Sequence, residues 1–257
     1  MNFHALRYVC VILILAIAAL PGQGAALKAI EAFQEGNDAY NATNYDRAVR
    51  MYHKAAEMNF RPAALYYNLG NSYYRLGKLG NAIADYRRAR LLQPRDADSK
   101  ENLAIARSQA EDGLKIQTLP DTVKSFLFLY YYIGFDELIW LCAAVSALFF
   151  LLAILYLFVR RRLLKSLLVV LACVTLLLAA TAGLHCYNRF LRHDAVVIAD
   201  QAPVHSGPMD SYPDIFILHD GSEARVLERQ DAWVKIQVVI ADEKKRGWIN
   251  QADIVIL

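Results

Sequence analysis

Apolar residues are concentrated in three long runs along the chain, at residues 8–20, 138–159 and 166–187. The second and third runs contain no Asp, Glu, Lys or Arg, and each is long enough to cross a hydrocarbon layer that needs about 20 apolar residues. Hydrophobic residues make up 56% of the chain, and because the excess lies in these runs it is typical of membrane segments and not of one large core. The pattern predicts two transmembrane helices, 138–159 and 166–187.

The first apolar run belongs to a segment with the layout of an export signal. Arg7 precedes the run, and small residues and Pro21 follow it. We expect residues 1–24 to act as a signal peptide with cleavage after Gly24, and we exclude them from the fold.

The connection between the two predicted spans is short and basic. Residues 160–165 read RRRLLK, and such a loop stays in the cytoplasm according to the positive-inside rule. Both flanking domains would then face the periplasm from a bacterial inner membrane, as the export signal independently indicates. Residues 116–137 are expected to be a linker and an interfacial helix. The aromatic stretch from Ser125 to Trp140 indicates the interfacial helix.

The segment 25–115 combines helical periodicity with an internal repeat. Identical residues recur 34 positions apart, which predicts two units of two antiparallel helices each, at 29–62 and 63–96. A further amphipathic helix at 97–112 would cap them through Leu103, Ile105 and Ala106. We expect Gly77 to end a helix and Gly80 to lie in the first turn of the next, where a glycine costs less. The recurring pairs are Gly36 and Gly70, Asn37 and Asn71, Ala48 and Ala82, Tyr52 and Tyr86, and Ala55 and Ala89.

The second unit resembles the tetratricopeptide repeat (TPR) family. It carries Tyr66, Leu69, Gly70, Tyr73, Gly77, Ala82, Tyr86, Ala89 and Pro94 at the family's positions, whereas the first unit departs from the pattern at Ala32, Glu35, Thr43 and Phe60. The resemblance implies a concave groove that binds a short peptide or one partner helix. The groove residues would be Asn37, Tyr40, Asn68, Asn71, Tyr74, Arg75 and Asn102. The alternative is that these side chains follow the repeat pattern and are only solvated.

After a linker at 188–193, residues 194–257 are expected to be all-β. Short β-branched runs are separated by turn residues, and in WVKIQV the residues Val234, Ile236 and Val238 share one face. The order AVV, VHSGP, LHDGSEARVLE, WVKI and RGWINQADI resembles the bacterial SH3 (SH3b) family. Such barrels hold peptides in aromatic grooves, which makes Tyr212, Pro213, Trp233 and Trp248 candidate contacts. The alternative is that the aromatic residues pack in the core or at its rim, Trp248 above all.

Candidate chemistry is sparse. The four cysteines lie in the signal, in the spans or at the outer end of the second span, and His185, Cys186 and His193 match no standard zinc spacing. The net charge of +3 is mild and leaves no basic face for nucleic acid. We therefore predict no catalytic residue, no cofactor and no metal, and we do not expect an enzyme.

The fold class predicted is a multidomain membrane protein with all-α TPR hairpins, a two-helix transmembrane hairpin and a C-terminal all-β SH3-like barrel. This order resembles the Bat (Bacteroides aerotolerance) group, in its BatE-like branch. The resemblance implies a non-enzymatic adaptor that binds protein partners, among them membrane-anchored von Willebrand A-domain proteins beside a MoxR-type ATPase, and the lipid bilayer. Two alternatives stay open: an SH3b domain that binds peptidoglycan peptides, with the repeats as a spacer, and a redox or metal sensor at Cys186.

Overall fold

A computed structural model describes residues 23–113, 128–190, 193–240 and 243–257 of the chain. Most of the predicted signal segment, residues 114–127 of the predicted linker, and residues 241–242 lie outside the described residues.

The N-terminal part is a stack of five helices. Asn44 caps the second helix by accepting a hydrogen bond from the Arg47 backbone N–H at 3.2 Å, and Asp96 caps the fifth through the Ser99 backbone N–H at 2.9 Å. The turn between the first two helices passes through Thr43 with φ +59°, at the place that Gly77 holds between the third and fourth with φ +75°. The helices are α1 Gln23–Asn41, α2 Tyr45–Glu57, α3 Ala63–Arg75, α4 Leu79–Leu92 and α5 Ala97–Gln109.

Two repeated glycines allow the helices of each pair to approach closely. A Cβ atom on Gly36 would lie 2.5 Å from the ring of Tyr52, and one on Gly70 would lie 2.6 Å from the ring of Tyr86. Each tyrosine lies on the second helix of its pair, and its buried ring packs against the glycine of the first helix. The backbone contact explains glycines inside a helix, where each costs about 1 kcal/mol relative to alanine.

The capping helix α5 uses only part of the predicted apolar set. Leu103 and Ala106 are buried against the last repeat, as three-residue spacing on a helix allows. The prediction for Ile105 was wrong, since its side chain is 41% exposed. Ile105 is two residues after Leu103 on the helix, so its side chain points away from the packed face.

Two long helices follow, α7 Phe135–Phe158 and α8 Arg162–Phe190, after the short helix α6 Phe128–Tyr132. Both are long and apolar enough to cross a membrane by length and composition, and only 6% of each apolar stretch is buried within the protein. Residues 159–161 connect the two long helices and Arg162 begins α8, while the cytoplasmic placement of residues 160–165 stays a prediction. Gly134 precedes α7, so Phe135 and the residues after it belong to the long helix. The interfacial helix stays a prediction.

The C-terminal part is an antiparallel sheet of seven strands in the order β3-β2-β6-β5-β4-β1-β7. The predicted all-β class is confirmed, and Val234, Ile236 and Val238 are buried on one face of β5 as expected. All seven strands contribute to one apolar core. The strands are β1 Asp194–Val197, β2 Gln201–His205, β3 Asp214–His219, β4 Glu223–Gln230, β5 Trp233–Ile240, β6 Glu243–Asn250 and β7 Ile254–Ile256.

The helical stack packs directly on this sheet, although the two long helices separate them in sequence. Val196 of β1 is buried in the cluster formed by α4 and α5, and Val255 and Leu257 pack against the same cluster. Gly80 of α4 lies against the sheet, where its backbone N–H donates to Asp220 Oδ1 at 2.9 Å. A Cβ on Gly80 would lie 1.9 Å from the Val197 carbonyl oxygen, so the glycine serves this close contact beyond its helix position.

Candidate functional site

Asparagine side chains join consecutive repeats along the face shared by α1, α3 and α5. Asn37 Oδ1 accepts one hydrogen bond from the Tyr52 hydroxyl at 2.9 Å and another from Asn68 Nδ2 at 2.8 Å. Burial raises the pKa of Tyr52 to about 12. One asparagine therefore ties the two helices of its own repeat to the next repeat.

The same arrangement recurs 34 residues later. Asn71 Oδ1 accepts from the Tyr86 hydroxyl at 2.8 Å and from Asn102 Nδ2 at 3.0 Å. Asn102 Nδ2 also lies 3.2 Å from the Tyr67 hydroxyl. Asn102 thus makes the bond that Asn68 makes one repeat earlier, so α5 is placed as the first helix of a third unit.

The four asparagines keep hydrogen-bonding capacity that the protein does not use. Nδ2 of Asn37 and of Asn71, and Oδ1 of Asn68 and of Asn102, have no partner among the described residues. All four side chains are half-buried and so remain accessible. Amide donors alternating with amide acceptors match the N–H and C=O groups of an extended peptide. We call this set of four the asparagine face.

Two tyrosines and an arginine adjoin the asparagine face. The Tyr74 hydroxyl lies 2.6 Å from Gln109 Nε2, which donates to it, and the ring of Tyr40 packs edge-on against Tyr45 at 5.3 Å. Arg75 is exposed, and the Tyr40 hydroxyl beside it raises its pKa. A permanent positive charge therefore lies next to the face.

The candidate SH3b residues divide into buried and exposed pairs. Trp233 is 9% exposed and packs edge-on against the His205 ring at 5.1 Å, while Trp248 is 8% exposed beneath Lys235 Nζ at 5.3 Å. Both tryptophans therefore offer little surface to a ligand. Tyr212 and Pro213 are exposed in the turn before β3.

An aspartate, a histidine and a serine meet between the helical stack and the sheet, but not as a catalytic triad. Asp112 Oδ1 binds His219 Nδ1 at 2.9 Å, and Asp112 Oδ2 accepts from the Ser222 hydroxyl and from the His219 backbone N–H. Ser222 bonds to the carboxylate and not to the imidazole, so the histidine cannot act as its base. Burial alone would raise the pKa of Asp112, but the bonds from Ser222 and His219 outweigh it and lower that pKa.

No pattern in the sequence indicated this contact between Asp112, His219 and Ser222. The chain positions that meet are more than 100 residues apart, and each residue alone is typical of a solvated helix end or turn. Among the described residues, no group of three or more His, Cys, Asp or Glu side chains could hold a metal ion.

A stack of paired helices whose equivalent side chains bond from one pair to the next is typical of helical repeat proteins. Residues 33–102 match the family described as tetratricopeptide repeat, which confirms the predicted repeats. Such repeats suggest a protein-protein interaction module and are typically non-catalytic. Among solved structures, the chain is similar to the Arabidopsis OM64 TPR domain, with 23% identity over 33% of this chain and 69% of that chain and a TM-score of 0.32. No curated protein matches the sequence.

Proposed function

We propose that this chain is a non-enzymatic membrane adaptor whose repeats bind an extended segment of a protein partner. The observation that carries the proposal is the asparagine face, where amide donors and acceptors are left unpaired beside an exposed arginine. Interaction is also what repeats of this family typically provide. The bound segment would pair its main chain with the asparagines and its acidic or carboxylate groups with Arg75.

Crossing of a membrane by α7 and α8 is the second part of the proposal. The helical stack and the sheet pack on each other, so they must lie on one side of any bilayer, and this requires an even number of crossings between them. The connection between the helices carries Arg160 and Arg161, with Arg162 at the start of α8, which favours a cytoplasmic turn and periplasmic domains.

The order of domains supports a place in a Bat-type envelope complex, with membrane-anchored von Willebrand A-domain proteins as partners. In this proposal the C-terminal sheet is an SH3-like barrel of the SH3b kind. Its seven strands around one core are compatible with that class.

In-cell photo-crosslinking tests the adaptor function. A photoreactive residue in place of Tyr74 should capture one defined membrane protein, and Asn71→Ala in the same chain should abolish the capture. The matched control is the same photoreactive residue at Lys54, which is exposed on α2 away from the asparagine face. Equal capture from Lys54, or capture unaffected by Asn71→Ala, would rule out the asparagine face as the binding site.

A second candidate function is binding of cell-envelope peptides by the sheet. The observation in its favour is a set of exposed side chains on and before the edge strand β3, namely Met209, Tyr212, Pro213, Ile215 and Ile217. A photoreactive residue at Tyr212 separates the two functions. Wall fragments captured from Tyr212, with nothing specific from Tyr74, would replace the adaptor by an envelope-binding protein.

A further inference from the structure

The strand β3 lies at one edge of the sheet, where it pairs only with β2 among the described residues. Phe216 and Leu218 pack in the core of the sheet, whereas Ile215 and Ile217 are 51% and 48% exposed. Natural proteins usually protect an edge strand with charged side chains or proline, because its outer N–H and C=O groups can pair with another chain. The middle of β3 carries only apolar side chains, so it lacks this protection.

The backbone of Ile217 points away from β2. The two strands pair regularly from Phe216 to His219, and in an antiparallel pair alternate residues direct both backbone polar groups away from the partner. The His219 backbone N–H donates to Asp112 Oδ2 at 2.8 Å, so His219 and Ile217 are the residues that face outward. Pro203 of β2, opposite Ile217, fits this phase because it has no N–H to donate. Outside the sheet, no described residue bonds to the Ile217 backbone, which leaves its N–H and C=O accessible to a further strand.

The surroundings of β3 are acidic. Residues 195–224 contain no Lys or Arg, although the whole chain has 28 of them. The histidines of the β2–β3 hairpin already face carboxylates, His205 at 2.8 Å from Asp214 and His219 at 2.9 Å from Asp112. Four exposed acids lie around the hairpin and the end of β3, namely Asp200, Asp210, Asp214 and Glu111. A ligand of this edge should therefore be positively charged.

The same charges disfavour a second copy of this chain as the occupant. Two copies of β3 related by a two-fold axis would pair antiparallel, so the Asp214 end of one would meet the end of the other beside which Glu111 lies. Both ends are acidic, and like charges that face each other across a strand pair are destabilising. A basic segment of another protein has no such conflict.

We propose that the β3 edge binds an extended segment of a protein partner by strand addition, and that this segment alternates apolar residues with Lys or Arg. The Ile217 N–H and C=O form a closely spaced pair of hydrogen bonds with one residue of the segment. The apolar side chains of the segment contact Ile215 and Ile217, and its basic side chains meet the exposed carboxylates. This second binding surface goes beyond the adaptor function, and nothing in the asparagine face depends on it.

Binding of a synthetic peptide to the full chain in non-ionic detergent tests the edge. The probe is a short fluorescein-labelled peptide that alternates Val and Lys, with both ends blocked, and fluorescence anisotropy measures its dissociation constant. A peptide that alternates Val and Glu has the wrong charge, and the Val-Lys peptide N-methylated at every residue cannot donate main-chain hydrogen bonds. Each should bind about tenfold or more weakly than the probe.

A proline substitution tests the hydrogen bond from β3 itself. Ile217→Pro removes the outward N–H but no bond to β2, and proline is tolerated on an edge strand where the N–H faces solvent. It should weaken binding of the Val-Lys peptide about tenfold. Ile217→Val is the matched control, because it keeps the N–H and a β-branched apolar side chain, and it should bind as the wild type. If Ile217→Pro does not fold, the comparison of the three peptides on the wild type decides.

The asparagine face is the competing site for the peptide. Asn71→Ala should bind the Val-Lys peptide as the wild type, and a loss of binding in this variant would overturn the proposal. Equal binding of the Val-Glu or the N-methylated peptide would also overturn it. Capture from Tyr74 does not involve Ile217, so the adaptor function is tested separately.

Other occupants of the edge are detected by a photoreactive residue in place of Ile217 in cells. Crosslinked pairs of this chain would identify a second copy at the edge, and wall fragments would identify an envelope ligand. Either result would overturn a basic protein segment as the partner.

Discussion

Gly80→Ala should weaken the docking of the helical stack on the sheet while leaving each folded. The added methyl group would begin 1.9 Å from the Val197 carbonyl oxygen and 2.4 Å from Asp220 Oδ1, whereas ordinary contacts begin near 3.4 Å. The two surfaces must therefore move apart by about 1.5 Å, which also breaks the bond from the Gly80 N–H to Asp220. Overpacking of about 1–3 kcal/mol and a lost hydrogen bond of about 1 kcal/mol together weaken the docking by roughly 2–4 kcal/mol.

Hydrogen exchange followed by mass spectrometry measures the effect in each element. Exchange should rise in α4 near Gly80 and in β1, and protection in α1 to α3 should stay as in the wild type. Gly70→Ala is the contrast, because its methyl group would strike the Tyr86 ring and lower protection within the repeats. Gly183→Ala, with open space around the position, should change neither. Wild-type exchange in α4 and β1 of Gly80→Ala would refute the reasoning.

Three further changes probe other features. Thr43→Gly should raise the free energy of unfolding by about 0.5–1 kcal/mol in urea denaturation, because a β-branched residue is strained at φ +59°; a decrease would contradict this. Tyr86→Phe should lower the free energy of unfolding by about 1 kcal/mol by removing the hydrogen bond to Asn71, and an unchanged melting temperature would show that this bond adds no stability. The hydrogen bond that His219 donates to the Asp112 carboxylate raises the pKa of His219 above its usual 6.5, so the stability that this bond contributes is complete below pH 6.5 and is lost as the pH rises through the folded-state pKa. The melting temperature should accordingly fall above pH 6.5 in the wild type and less in His219→Gln, and parallel pH profiles would exclude this role.

The repeats could be predicted because their contacts are local and periodic. An offset of 34 residues placed Gly36 and Gly70 in equivalent helices, and each glycine meets the tyrosine that the same offset picks out. The antiparallel sheet was predictable from its short β-branched runs, while its assignment to the SH3b family stays a prediction.

The seam, which is the contact between the helical stack and the sheet, could not be predicted. No pattern in the sequence indicates that residues 80–112 pack against residues 194–257. Glu223 begins a strand after a turn and is typical of a solvated residue, yet its side chain is fully buried between two arginines. The position of Gly80 in the first turn of a helix already explained a glycine there, so the sequence did not indicate its contact with Val197. Burial of charge by a distant segment leaves no periodic trace in a sequence.

Docking of the stack on the sheet also closes a loop through the two long helices. The chain enters α7 from the helical stack and leaves α8 into the sheet, so the two long helices tether the stack to the sheet. The docking partners therefore meet at the effective concentration of an intramolecular pair, on the order of millimolar. Contacts that would dissociate between separate molecules are sufficient under such a tether. A single proteolytic cut between α7 and α8 would keep every residue of the seam, yet it would turn a permanent joint into one that can open by dilution.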